Sequence, residues 1–181
     1  ETVYSIFIGT NDLGNYAFIS DAQVQGTTIV NYTDCVFNAI QRIYDNGGRY
    51  FVLQNVAPLQ LSPQYGLPGK GGLASTQYWP DKPSNITEIS YKMLEYVSLV
   101  NNIFKYETPY LTEVANYLNG TAPLDVTGYA NSDGTGNPAN PDSFMWYDEL
   151  HPSEQTDRVI AREFVDVVKG NSKWATYWSD C

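Results

Sequence analysis

At 181 residues, 43% of them hydrophobic and 17% charged, the chain has the length and composition of one folded domain with a sizeable core. Ten Lys and Arg against twenty Asp and Glu give a formal net charge of −10, which repels phosphate backbones and argues against nucleic acid as a partner. No basic cluster marks an anionic-membrane patch, and no apolar run approaches the roughly 18 residues of a membrane span.

In chain order, residues 3–8 form an apolar run closed by Gly9, the pattern of a buried central strand of a parallel sheet. The chain opens directly on this strand, with no signal peptide ahead of it. That predicts that residues precede Glu1 in the precursor. Thr33 or Asp34 caps an expected helix with Val36, Phe37, Ile40, Ile43 and Tyr44 on one face, stopped at Asn46-Gly47-Gly48. Residues 49–56 read as a second strand closed by Ala57-Pro58, so that strand, helix and strand suggest a βαβ unit. Residues 59–84, rich in Gly, Pro and Gln, read as a long loop. Within it, Gly66 to Gly72 lacks the Gly-Lys-Ser/Thr of a phosphate loop and is expected to be a flexible surface loop near an active-site rim.

Asn85 and Glu88 resemble a capping box ahead of a helix whose stripe runs through Ile86, Ile89, Met93, Tyr96 or Val97, Val100 and Ile103 or Phe104. Pro109 interrupts that pattern, and a further helix is expected from about 110 to 118. Leu124-Asp125-Val126 suggests a short strand. Asn131 to Asp142 reads as loop, and its partial match to a calcium-loop template is spoiled by Pro138, Pro141 and an Asp at the last position. Ser153 is expected to cap a last helix with Val159, Ile160, Phe164 and Val167 inward.

Two segments carry chemistry. The first is Gly9-Thr10-Asn11-Asp12, at the carboxyl end of the first strand, where functional sites of open α/β sheets lie. Gly9 permits a close approach of backbone or ligand, and Asn11 either aims its amide at a developing oxyanion or forms an Asx turn with Asp12. The second holds the only histidine of the chain, in Trp146-Tyr147-Asp148-Glu149-Leu150-His151-Pro152. Imidazole exchanges a proton near neutral pH, and an aspartate three residues earlier can fix its tautomer and stabilise the imidazolium. Trp146 and Tyr147 either stack on a sugar ring or pack the histidine loop against the sheet. Cys35 and Cys181 have no metal-ligand spacing, and no second histidine completes a zinc set. A disulfide between them would tie the C-terminus to an internal helix. Sequons at Asn31, Asn85 and Asn119 permit glycosylation and, with the low charge and many tyrosines, lean towards a secreted, extracellular glycoprotein.

Taken together and in this order, Gly9-Thr10-Asn11-Asp12 and Asp148-Glu149-Leu150-His151-Pro152 resemble the Gly-x-Asn-Asp and Asp-x-x-His-Pro blocks of the SGNH, or GDSL-type, esterases and lipases. The stretch from Phe144 to Ser153 is most similar to that of fungal secreted carbohydrate acetylesterases. The resemblance covers the whole chain but only the later two-thirds of such an enzyme. It implies an α/β fold, a three-layer α/β/α sandwich with a mostly parallel sheet, incomplete in this chain. The chain would be a single domain, 1–181. His151 would be the general base, Asp148 its partner and Asn11 an oxyanion donor, with no cofactor.

The family's nucleophilic Gly-Asp-Ser block is absent, as is Gly-x-Ser-x-Gly, and Asp142-Ser143 lacks the strand-to-helix context. The serine is therefore expected on a separate N-terminal chain of the same, proteolytically processed precursor. The expected reaction is release of acetyl groups from an acetylated sugar or oligosaccharide. The alternatives are a lipase or phospholipase of the same family and a carbohydrate-binding protein without catalysis.

Overall fold

The computed structural model describes residues 2–107, 114–117, 125–129 and 144–177. The chain divides into two compact units. One comprises Glu1–Ala57, Tyr96–Gly120 and Glu163–Cys181, and the other Pro58–Glu95 and Thr121–Arg162.

The first unit is built on a four-stranded sheet. Strands β1 (Val3–Ile6), β2 (Tyr50–Gln54) and β3 (Val114–Tyr117) run parallel, and the short β6 (Ala175–Thr176) is antiparallel to β3. Between β1 and β2 lie a short helix α1 (Thr10–Leu13), a 3₁₀ turn (Phe18–Ser20) and helix α2 (Ile29–Asp45). β2 is the buried strand, with Phe51, Val52 and Leu53 at most 3% exposed. The buried run expected over 3–8 shortens to Val3–Ile6, with Val3, Phe7 and Ile8 exposed; among the described residues β1 pairs with β2.

Helix α2 buries Ile29, Tyr32, Thr33, Val36 and Ile40 on one face. Its cap is Thr28, not Thr33 or Asp34. The Thr28 hydroxyl accepts from the Asn31 backbone N–H while the Asn31 side chain accepts from the Thr28 N–H, a reciprocal box that starts the helix one and a half turns early. Thr33 is inside the helix, its hydroxyl donating back to the carbonyls of Ile29 and Val30. Asn46-Gly47 ends it as expected, Gly47 taking a φ of 96°.

Helix α3 (Ile86–Glu107) buries Ile89, Met93, Val97, Val100 and Phe104, the periodic stripe read from the sequence. Asn85 donates to the Glu88 carboxylate at its start. The helix expected over 110–118 is corrected by β3. Val114–Tyr117 pairs in parallel register with Phe51–Gln54, and ladder bonding outweighs local propensity there. The rest of that span, and Asn119, Asn131 to Ser143 and Cys181, lie outside the described residues.

In the second unit β4 (Asp125–Tyr129) pairs in parallel with β5 (Phe144–Trp146). Apart from a 3₁₀ turn at Leu59–Leu61, the segment 59–84 is the long loop read from the sequence, but part of it is buried. Leu59, Tyr65 and Trp79 are buried, together with the polar Ser62, Gln64, Thr76 and Lys82. These polar groups satisfy one another. The Thr76 hydroxyl donates to Gln64 Oε1, the Gln64 amide to the Tyr65 hydroxyl, and Lys82 Nζ to the carbonyls of Gln64 and Leu73, both at 2.6 Å. Gly66 to Gly72 lies at the surface of this segment, with Pro68, Gly69 and Lys70 exposed, Gly66 buried, and Gly72 N–H donating to the Leu67 carbonyl. Helix α4 (Glu154–Val168) starts under Ser153, whose hydroxyl accepts from Thr156 N–H. Its Val167 packs with Val52, Phe164 and Ala175 in the first unit.

Candidate active site

The loop between β5 and α4 is held at both ends before it presents any chemistry. Ser153 N–H donates to Met145 O, the Ser153 hydroxyl to Phe144 O and the Thr156 hydroxyl to Met145 O. Tyr147 N–H donates to His151 O across the loop, closing it into a tight turn. Trp146 is 2% exposed and donates its indole N–H to Leu61 O at 3.1 Å. Tyr147 is 47% exposed and leaves a ring face to solvent.

Within this turn the Asp148 carboxylate is buried and accepts hydrogen bonds on both oxygens. Oδ1 accepts from the backbone N–H groups of Leu150 and His151, at 2.8 and 2.7 Å. Oδ2 accepts from the Tyr78 hydroxyl at 2.8 Å and lies 2.9 Å from His151 Nδ1. Burial alone would raise the pKa of this carboxyl. The hydrogen bonds from His151, Leu150 and Tyr78 outweigh it and hold the group below the usual carboxylate range. An ionised carboxylate only accepts, so Nδ1 of the neutral ring carries the proton and Nε2 is the basic nitrogen. The His151 side chain is 56% exposed while that of Asp148 is 8% exposed, the arrangement of a solvent-reaching base with a buried partner.

The segment 59–84 supplies further support that the sequence did not reveal. Gln64 N–H donates to Glu149 O, and the Gln77 amide donates to the Glu149 carboxylate at 3.0 Å. The Tyr78 ring stands edge-on to the His151 imidazole, centroids 5.2 Å apart. The Tyr78 hydroxyl is pushed up to about 12, chiefly by its hydrogen bond to Asp148, so it remains a donor.

Asn11 and Gly9 belong to the first unit. Gly9 is buried at a φ of 125°, and a Cβ there would lie 2.5 Å from the Tyr32 hydroxyl and 2.8 Å from Val56 Cγ2, so no other residue fits. Its carbonyl accepts from Leu13 N–H, closing the single turn of α1, on which Asn11 is exposed. Tyr32 donates to Ile8 O, behind the turn. Burial, then the nearby Asp12 carboxylate, push the pKa of its hydroxyl up. Asn31 and Asn85 are exposed, each with its side chain engaged at a helix start, and Cys35 is exposed on α2. Among the described residues no cluster of three or more His, Cys, Asp or Glu could hold a metal ion, and no helix is long and apolar enough to cross a membrane.

The sequence pattern of the GDSL-like lipase/acylhydrolase family matches residues 1–164. An acetylesterase of Hypocrea jecorina is 39% identical over 208 aligned residues, which cover 98% of this chain and 60% of that protein. An acetylesterase of Thermothelomyces thermophilus is 27% identical, with coverages of 94% and 54%. The chain thus spans between half and two thirds of the relatives it matches.

Proposed function

This chain belongs to the GDSL-like lipase/acylhydrolase family, and we propose that it is the base-and-oxyanion part of a secreted carboxylic-ester hydrolase that releases acetyl groups from carbohydrate esters. The observation that carries this reading is the buried, fully hydrogen-bonded Asp148 carboxylate beside the Nδ1 of a solvent-reaching His151. The nucleophilic serine is assigned to an N-terminal segment of the same precursor, and the assembled protein to a single three-layer α/β/α domain. Among the described residues β1 has a strand on one side only, and Val3 in it and Phe7 and Ile8 beyond it are exposed, which supports a further strand pairing there.

In this mechanism His151 Nε2 accepts the serine proton as the serine oxygen attacks the ester carbonyl. The developing oxyanion takes a hydrogen bond from the Asn11 amide. The imidazolium, stabilised by Asp148, then protonates the departing sugar hydroxyl, leaving an acetyl-serine. A water that gives its proton to His151 attacks this acyl group, and acetate leaves as the serine regains its proton.

The test is His151→Ala in the assembled protein, assayed on a small acetyl ester and with a covalent serine-hydrolase probe. Loss of turnover with retained folding is expected, together with probe labelling of the companion segment in the unsubstituted protein. Near-normal turnover by the variant would sink the mechanism, and absence of labelling in natively purified protein would favour a carbohydrate-binding role. A series of acyl-chain lengths separates the acetylesterase, which loses rate steeply beyond acetyl, from a lipase.

A further inference from the structure

The contacts of Tyr78 are more specific than packing requires. Its hydroxyl meets Asp148 Oδ2, the same oxygen that faces His151 Nδ1, at 2.8 Å. Its ring meets the imidazole at 77°, edge to face, so one side chain touches both members of the pair. We propose that Tyr78 is a positioning residue for the base: it holds Asp148 Oδ2 in the plane that receives Nδ1–H and blocks rotation of the imidazole, keeping Nε2 outward. This rests on the esterase reading for its consequence in turnover, and on geometry alone for its effect on His151.

The physics follows from the sharing of one oxygen. Oδ1 accepts two backbone N–H groups and lies 3.1 Å from His151 Nδ1, while Oδ2, the nearer oxygen to Nδ1 at 2.9 Å, divides its electron density between Tyr78 and His151. Donation from the hydroxyl draws charge from the carboxylate and moderates its pull on the imidazolium. The other titratable groups around Tyr78 are Glu149 and Tyr147, and both remain when its hydroxyl is removed. The positioning segment is itself anchored. Trp79 N–H donates to the Thr76 hydroxyl, and Thr76 in turn to the buried Gln64, whose backbone N–H reaches Glu149 O. Tyr78 therefore sits on a turn bonded to the same loop it positions.

The test is Tyr78→Phe, which keeps the ring and removes the hydroxyl. In the assembled protein kcat on an acetyl ester is expected to fall about 3–30-fold with KM little changed. The acid limb of kcat/KM is expected to move to higher pH by a few tenths of a unit, because an Asp148 freed of its competing donor favours the imidazolium more strongly. By NMR, the Nδ1 proton resonance of His151 is expected to shift downfield, a readout that needs no turnover. An unchanged resonance with an unchanged acid limb would overturn the proposal, as would a melting temperature so reduced that the loss of rate follows unfolding. A shifted resonance in a protein without esterase activity would instead sustain the positioning role and refute the proposed function.

Discussion

Replacing Asp148 by Asn tests the core of the site with nearly no change of shape. Oδ1 can keep the two backbone donors at 2.8 and 2.7 Å, so the amide nitrogen must take the place of Oδ2. There it faces the Tyr78 hydroxyl and His151 Nδ1, both of which donate in the native arrangement. An amide N–H facing Nδ1 makes that nitrogen an acceptor and moves the ring proton to Nε2, the nitrogen that accepts from serine in the proposed mechanism. A base in the wrong tautomer costs about 10⁴ in kcat in triads of this logic. Two charge-assisted hydrogen bonds are lost as well, each worth about 1.5–3 kcal/mol, offset in part by the amide's own bonds, so a net destabilisation of about 2 kcal/mol is expected.

The pH dependence has a definite sign. Asp148 is held below its usual range in the folded chain, so its stabilisation is complete above the ordinary carboxylate pKa of about 3.9 and is lost as pH falls through the lower folded value. The Asn variant should therefore have a flatter loss of stability below about pH 4. Steady-state rates on an acetyl ester at neutral pH, with urea midpoints from pH 3 to 7, measure both effects. A kcat within tenfold of the unsubstituted protein would refute the tautomer argument.

Two further substitutions probe the supports of the two units. Gly9→Ala puts a Cβ into the space of the Tyr32 hydroxyl and Val56 at a left-handed φ, and should cost about 2–4 kcal/mol, seen as a fall in Tm of roughly 5–15 °C. A Tm within a degree of the native value would show that the turn relaxes freely. Lys82→Met leaves the Gln64 and Leu73 carbonyls without their donor and should cost about 2–4 kcal/mol in chemical denaturation. Burial pulls the Lys82 ammonium down to about 8. Between about pH 8 and the usual lysine pKa of about 10.4, the unfolded chain therefore holds a proton that the folded one has released. Lys82 accordingly adds stability as pH rises through that window, and the Met variant should lack this slope. Parallel pH profiles for the two proteins would contradict the burial argument.

Periodic features were legible in the sequence and irregular ones were not. The stripe Ile89, Met93, Val97, Val100 and Phe104 and the strand Phe51–Leu53 announce themselves because burial repeats at 3.6 residues or runs unbroken. The Asp148–His151 pair was legible because its partners lie three residues apart, within one turn. Tyr78 was not, since it meets Asp148 across 70 residues of sequence and nothing local marks the encounter. Gln64, Thr76 and Lys82 fell within a stretch read only as a long loop, because a buried polar residue looks like an exposed one until its partners are known. Val114–Tyr117 misled for the opposite reason. Four residues carry too little pattern, and their strand state comes from β2 alongside. At Thr28 the signal was present, in Thr-x-x-Asn, but with Asn in place of the usual Glu or Gln.

The edge of β1 bears on how such a protein has to be made. Among the described residues no strand pairs with the edge of β1 away from β2, Val3 on it and Phe7 and Ile8 beyond its end are exposed, and such an edge is a template for other chains, which add to it by the same ladder bonds that fold the sheet. On the two-chain reading proposed above, the chain by itself would offer that edge to copies of itself. In the proposed assembly the segment that brings the serine also closes the edge, so gaining a nucleophile and escaping aggregation become a single event during maturation.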